Sequence, residues 1–151
     1  PFYDEEVVLL LSKDLSGLSD LPDEHRPLED LTPFASYPFL LGNPDAIAGR
    51  IGRERMKRDR LQPIIRAQSD NIETLLALCA HGMGICFCPE NLLAVALSKE
   101  QLCHLRIYRL GAGASYPIRF GCRKEPYQSQ RIAEFMRIAR AALPLPSTQE
   151  I

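Results

Sequence analysis

Several things are missing from this 151-residue chain, and each absence closes off a class of function. There is no basic excess: 18 Lys and Arg stand against 19 Asp and Glu, for a formal charge of −1. Nucleic-acid binding by bulk charge needs a surplus of cations and is excluded. No apolar run approaches the roughly 18 residues that suggest a membrane span. Val7-Val8-Leu9-Leu10-Leu11 gives way at once to Ser12-Lys13-Asp14. The start, Pro1-Phe2-Tyr3-Asp4-Glu5-Glu6, has no basic segment and does not read as a signal peptide. It also lacks methionine, which points to processing or to a piece of a longer chain. No short repeat marks collagen-like or low-complexity structure.

Nor is there a disulfide framework, which would favour an even count of cysteines in a loop-rich chain. The five here, Cys79, Cys86, Cys88, Cys103 and Cys122, sit inside apolar stretches. They read as buried, reduced thiols of a cytosolic protein. What remains is ordinary for a globular domain: 46% apolar and 25% charged residues. The length suits about one domain with a real core.

Val7–Leu11 is aliphatic on both faces, as a strand covered on both sides should be. Residues 12–38 carry Pro22, Pro27, Pro33 and Pro38 and read as a long surface connection, with at most a short helix near Glu29-Asp30-Leu31. Phe39-Leu40-Leu41 is a short buried strand ended by Gly42. Asn43 as N-cap and Pro44 at the first helical position predict a helix to about Arg60, with Ile47 and Ile51 inward. Ile64–Ala67 is the next strand. Asp70 and Glu73 then suggest a capping box. Ile72, Leu75, Leu76 and Cys79 make the apolar face of that helix, and Gly82 ends it.

Ile85–Cys88 is a strand stopped by Pro89, and a short helix follows through Leu92, Leu93 and Leu97. Leu105–Tyr108 alternates like a half-buried strand, Gly111-Ala112-Gly113 is a turn, and Ile118–Cys122 is another strand. The last helix puts Ile132, Phe135, Met136, Ala139 and Leu143 on one face, and a frayed tail begins at Pro144. Alternating strands and helices predict an α/β architecture with largely parallel pairing.

Few residues look chemical. The arginines of 50–60 read as a solvated helix face in preference to a polyanion site, because acids interleave them. Cys86 and Cys88 are two apart within a strand and face the same side, a poor match to zinc-ligand pairs at turns. His81 at a helix end complements the dipole more simply than it activates a thiol. The glycine pairs Gly82/Gly84 and Gly111/Gly113 stand in the wrong order for a dinucleotide loop. No metal, cofactor or catalytic set is expected.

Two helix starts, at Asn43-Pro44 and at Ser69-Asp70-Asn71, directly follow strands. They open at the carboxyl ends of strands, where α/β sheets bind ligands and free N–H groups suit an anion. Two ordinary capped helices would look the same, and the residues alone leave both readings open.

Ser69–Pro89 resembles the effector-binding domain of LysR-type transcriptional regulators. In that family a Leu- and Ala-rich helix leads to an Ala-Gly-x-Gly-Ile turn, a short strand and a proline. Gly82, Gly84, Ile85 and Pro89 match, with His81 at a tolerated position. Tyr3–Asp14 is similar to the family's crossover strand, and the Glu29-Asp30-Leu31 turn before Pro38–Leu41 is also similar. Arg123-Lys124 and a helix ending in Phe135-Met136 resemble its last strand and helix.

The resemblance implies a periplasmic-binding-protein type II-like α/β fold with one complete lobe and part of another. Residues 1–12 would be the crossover strand, 13–115 the second lobe, and 116–143 the returning strand and last helix of the first lobe. Residues 144–151 would be a flexible tail. The helix-turn-helix, the linker helix and the first half of the other lobe would have no counterpart here.

It further implies a small-molecule effector, such as a carboxylate or other polar metabolite, held between lobes by Gly42, Asn43, Ile47, Ala48, Gln68 and Ser69. DNA would be reached only through the absent domain. The chain would be a cytoplasmic, non-enzymatic module that forms homo-oligomers through its effector domains. A free-standing solute-binding protein of the same fold is the alternative.

Overall fold

The computed structural model describes residues 3–119, 121 and 130–142. They fall into two compact units: Glu6–Ser115, and the chain's two ends up to Glu5 and from Tyr116.

In Glu6–Ser115 a mixed sheet runs in the order β3-β2-β4-β1-β5. Its strands are β1 (Tyr3–Ser12), β2 (Pro38–Leu41), β3 (Ile64–Gln68), β4 (Ile85–Pro89) and β5 (Leu105–Arg109). β2 pairs parallel with β3 and β4, whereas β1 runs antiparallel to both β4 and β5. Pairing is therefore mixed, not largely parallel. An antiparallel neighbour needs no crossover connection, so β1 can lie between β4 and β5 against the direction of both. Its residues Val7–Ser12 are all buried, the pattern of a strand covered on both faces.

α1 (Ile47–Arg58) lies on one face of the sheet. α2 (Ile72–Ala80), α3 (Glu90–Ala96) and α4 (Lys99–Cys103) lie on the other. On the second face Val8, Leu10, Leu40, Cys86 and Cys88 pack under Leu75, Leu76, Cys79 and Leu93. On the first, Phe39 stacks on Phe87 at 6.1 Å, and Phe34 meets Tyr108 edge-on at 5.2 Å.

The connection over 12–38 is not merely a surface strap. Leu28, Leu31, Phe34 and Tyr37 spaced at threes drop into the core, with 3₁₀ turns at Leu18–Asp20 and Thr32–Phe34 between the prolines. Phe34 is fully buried, so truncating it to Ala should cost about 3–5 kcal/mol.

α2 ends as its glycine predicts. Gly82 takes φ 70°, its N–H reaches Cys79 O at 2.9 Å, and Met83 N–H reaches Leu78 O at 3.0 Å. Those two bonds make a Schellman motif. α4 was not foreseen, although Ser98 and Gln101 cap each other's backbone at its start. The strand expected over Ile118–Cys122 lies earlier, as β6 (Ser115–Ile118), which pairs with β1. Phe120 and Cys122 lie outside the described residues.

In the unit of the two ends, α5 (Gln130–Ala142) follows. Ile132 and Phe135 are exposed at 43% and 56%, while Met136 and Ala139 are half-buried. Leu143 and the tail expected from Pro144 lie outside the described residues.

Candidate functional site

β2 and β3 run side by side and end together. Leu41 pairs with Gln68, and Ser69 N–H donates to Leu41 O at 3.1 Å. Gly42, Asn43, Gln68 and Ser69 are thereby gathered at one rim of the sheet, at the carboxyl ends of parallel strands.

Asn43 is not the N-cap of α1. Its Oδ1 accepts from Asp45 N–H at 2.8 Å and its carbonyl from Ala46 N–H at 3.1 Å, closing a turn first. An Asn side chain bonding the backbone two residues on competes with capping a helix. The helix proper starts at Ile47, with Ala46 as N-cap and Arg50 N–H on Ala46 O at 2.9 Å. That later start rotates the faces: Ile51 is inward, but Ile47 is 38% exposed. Ala48, buried, stays on the inner side.

The first turn of α1 lies over Asn43. A Cβ on Gly49 would stand 2.1 Å from Asn43 O, so only glycine permits this approach. One turn on, a Cβ on Gly52 would meet Phe87 at 2.4 Å. The two glycines set α1 close to the sheet and so fix where the rim faces.

α2 begins likewise one residue later than expected. Asn71, not Asp70, caps it, with Oδ1 accepting from Thr74 N–H at 3.2 Å, and no Asp70–Glu73 box forms. Ser69 Oγ accepts from Asn71 N–H at 3.1 Å.

These local bonds leave a chemical remainder. The side-chain oxygens of Asn43, Ser69 and Asn71 already accept backbone N–H groups. Beside a second lone pair on each oxygen, they keep their own donors, the amide N–H of Asn43 and Asn71 and the hydroxyl proton of Ser69. The rim thus presents donors. Sequence reading missed Asn71, although Asn immediately before an apolar helical face is a capping signal.

It also missed Arg55. Among the cations of α1, Arg50, Lys57 and Arg58 are exposed, but Arg55 is 6% exposed. Its guanidinium donates to Asp59 Oδ2 at 2.7 Å, to Leu28 O and Glu29 O at 2.8 Å each, and to Leu110 O. Asp59 in turn accepts from Leu31 N–H at 3.0 Å and Arg58 at 3.0 Å. Burial pushes the Asp59 carboxyl up, but hydrogen bonds from Arg55 and Arg58 outweigh it and hold it below its usual value. This cluster ties the long connection and the end of β5 to α1.

Cys79, Cys86 and Cys88 are buried reduced thiols, while Cys103 is exposed, against expectation, because it closes the short α4 at the surface. Among the described residues no three His, Cys, Asp or Glu side chains gather as metal ligands, and no helix is long and apolar enough to cross a membrane. Two cavities of about 410 and 430 Å³ are present in Glu6–Ser115, and none of the six rim residues lines either.

The fold has close counterparts among solved structures. The regulatory domain of Synechocystis PCC6803 CcmR, in complex with 2-PG, aligns with a TM-score of 0.68 at 15% identity, over 95% of this chain and 65% of that one. The effector-binding domain of QuiR, in complex with shikimate, aligns at 0.61 and 14% identity, over 95% and 63%. Full-length CbnR complexed with its target DNA aligns at 0.61 and 16%, over 93% and 46%. The chain therefore spans under two thirds of the length of these neighbours. No curated protein sequence matches it. The family model for the LysR substrate binding domain matches residues 1–144. This chain belongs to that family and has its periplasmic-binding-protein type II-like α/β fold.

Proposed function

We propose that this chain is the ligand-sensing domain of a LysR-type transcription regulator and that it takes a small, acceptor-rich, anionic effector. The site is the rim formed by Gly42, Asn43, Ile47, Ala48, Gln68 and Ser69, with Asn71 added. The observation that carries this reading is the cluster of donors at the rim, where Asn43, Ser69 and Asn71 hold backbone N–H groups with their oxygens and keep their own N–H and O–H protons for a ligand. A carboxylate or phosphate oxygen complements such donors, and the positive end of α2 favours the charge. CcmR with 2-PG and QuiR with shikimate support the reading at the level of the fold.

On this reading Glu6–Ser115 is the second lobe, and the ends of the chain contribute to the first. The protein is a sensor and not a catalyst, works in the cytoplasm, and reaches DNA through a separate domain. Its oligomers form through effector domains. β3 supports that last point: it is an edge strand, with Ile64 and Ile65 exposed at 55% and 48%.

Calorimetric titration of the chain with succinate, shikimate and 2-PG tests the proposal. Binding of at least one anion is expected, weakened about tenfold or more by Ser69→Ala through loss of one charge-assisted hydrogen bond. Ala48→Phe, which puts bulk under the rim, is expected to abolish it. Binding unchanged in both variants would overturn the assignment.

A further inference from the structure

The cavity of about 410 Å³ opens at the amino end of β2, the end remote from Gly42 and Asn43. The four residues of the strand, about 13 Å at the usual rise, separate it from the effector rim. Its walls come from the loop after β1, from Tyr37 and from Arg66 on β3.

The loop is held in shape from several sides. Tyr37 Oη donates to Ser16 O at 3.1 Å, and Arg106 donates to Leu18 O at 3.2 Å. Gly17 sits at φ 78°, and a Cβ there would stand 3.2 Å from Tyr37 Oη. The cavity is therefore built into the fold and is not a slack crease.

Two opposite charges line it without meeting. Arg66 is anchored through one nitrogen to Met83 O at 3.0 Å, which leaves the rest of its fork available. Asp20 accepts a long bond of 3.5 Å from Ser19 Oγ. Neither joins an ion pair among the described residues. Burial, followed by the charge of Asp20, raises the Tyr37 phenol, so the carboxylate's field reaches the cavity wall. Leu15, Leu21 and the Tyr37 ring add an apolar part to the lining.

We propose that this cavity is a second small-molecule site, for a zwitterion of the α-amino acid type with an apolar side chain. The ammonium meets Asp20, the carboxylate meets the fork of Arg66, and the side chain lies on Leu15, Leu21 and Tyr37. The volume falls in the range of small-molecule sites, about 300–1,000 Å³. The proposal stands apart from the effector rim and does not depend on it.

The test is a ¹⁵N NMR titration of the 151-residue chain with L-phenylalanine. Saturable shifts are expected at the amides of residues 15–21 and 37, with binding of about millimolar strength for so open a cavity. N-acetyl-L-phenylalanine lacks the ammonium and L-phenylalanine amide lacks the carboxylate. Each is expected to bind about tenfold more weakly, for one lost charge-assisted contact. Asp20→Asn and Arg66→Gln, both at exposed positions, should keep the unliganded spectrum and bind L-phenylalanine about tenfold more weakly. Asp20→Asn should also erase the penalty of N-acetylation, and Arg66→Gln that of amidation. No saturable shift, or equal binding of the three compounds, would overturn the proposal. Shifts confined to Asn43 and Ser69 would overturn it too, while leaving the effector rim standing.

Discussion

Replacing Arg55 by Ala should be the most damaging single change to a charged residue in Glu6–Ser115. The side chain is 6% exposed and fills the seam between α1, the segment Leu28–Leu31 and the end of β5. Its removal strands three carbonyls, of Leu28, Glu29 and Leu110, and takes from Asp59 its best partner. Each buried group left without a partner costs about 1–3 kcal/mol, but water entering the vacated volume recovers part of that. Breaking a buried pair by removing one partner costs about 3–5 kcal/mol, and the same range is expected here. Arg55→Lys keeps the charge but loses the planar fork, so it should recover about half of the loss. Urea unfolding followed by far-ultraviolet circular dichroism measures this, with the slope checked for constancy. A loss below about 1 kcal/mol for Arg55→Ala would refute the seam argument, because exposed ion pairs already account for that much.

Asp59 makes the same cluster sensitive to acid. Its folded pKa lies below the unfolded value of about 3.9, so its stabilisation is complete above that pH and fades as pH falls through the folded pKa. Asp59→Asn should remove this component from the pH dependence of the urea midpoint below about pH 4, and an unaltered profile would count against it. Gly84→Val should lower the midpoint far more than Met83→Leu. A Cβ at Gly84 would stand 2.6 Å from Pro38 O, whereas Met83 is 42% exposed, and equal midpoints would contradict that contact. In a whole regulator carrying this domain, Asn43→Ala should blunt effector-dependent induction of a reporter and leave DNA affinity without effector unchanged. A normal induction curve would move the effector elsewhere.

The aliphatic run of Val7–Leu11, the glycine stop at Gly82 and the core face of α2 were legible because each is a local pattern with one physical reading. The rim was legible as a place, since strand ends followed by helix starts are marked by Gly42-Asn43 and Gln68-Ser69. Its details were not. Whether Asn43 caps a helix or closes a turn before it depends on where Gly49 lets α1 sit, a contact between residues on different elements. Arg55 was unreadable for a similar cause: nothing local separates it from Arg53 or Arg58, and only its distant carbonyl partners make it internal. The direction of β1 against its neighbours was hidden too, because strand pairing is a long-range choice that burial alone does not specify.

The three thiols of Cys79, Cys86 and Cys88 give the domain a built-in clock. All are fully shielded from solvent, and hydrogen bonding to Cys79 with burial pushes the Cys86 thiol well above its ordinary value. Thiolates are the reactive form, so an alkylating reagent meets almost none of it while the sheet is closed. Cys103 at the surface reacts immediately and calibrates the reagent. The lag before Cys79, Cys86 and Cys88 are labelled then times the parting of α2 from the sheet. If a bound effector holds that helix in place, the lag lengthens with its concentration, and occupancy can be read from the masses of the peptides that carry Cys79, Cys86 and Cys88.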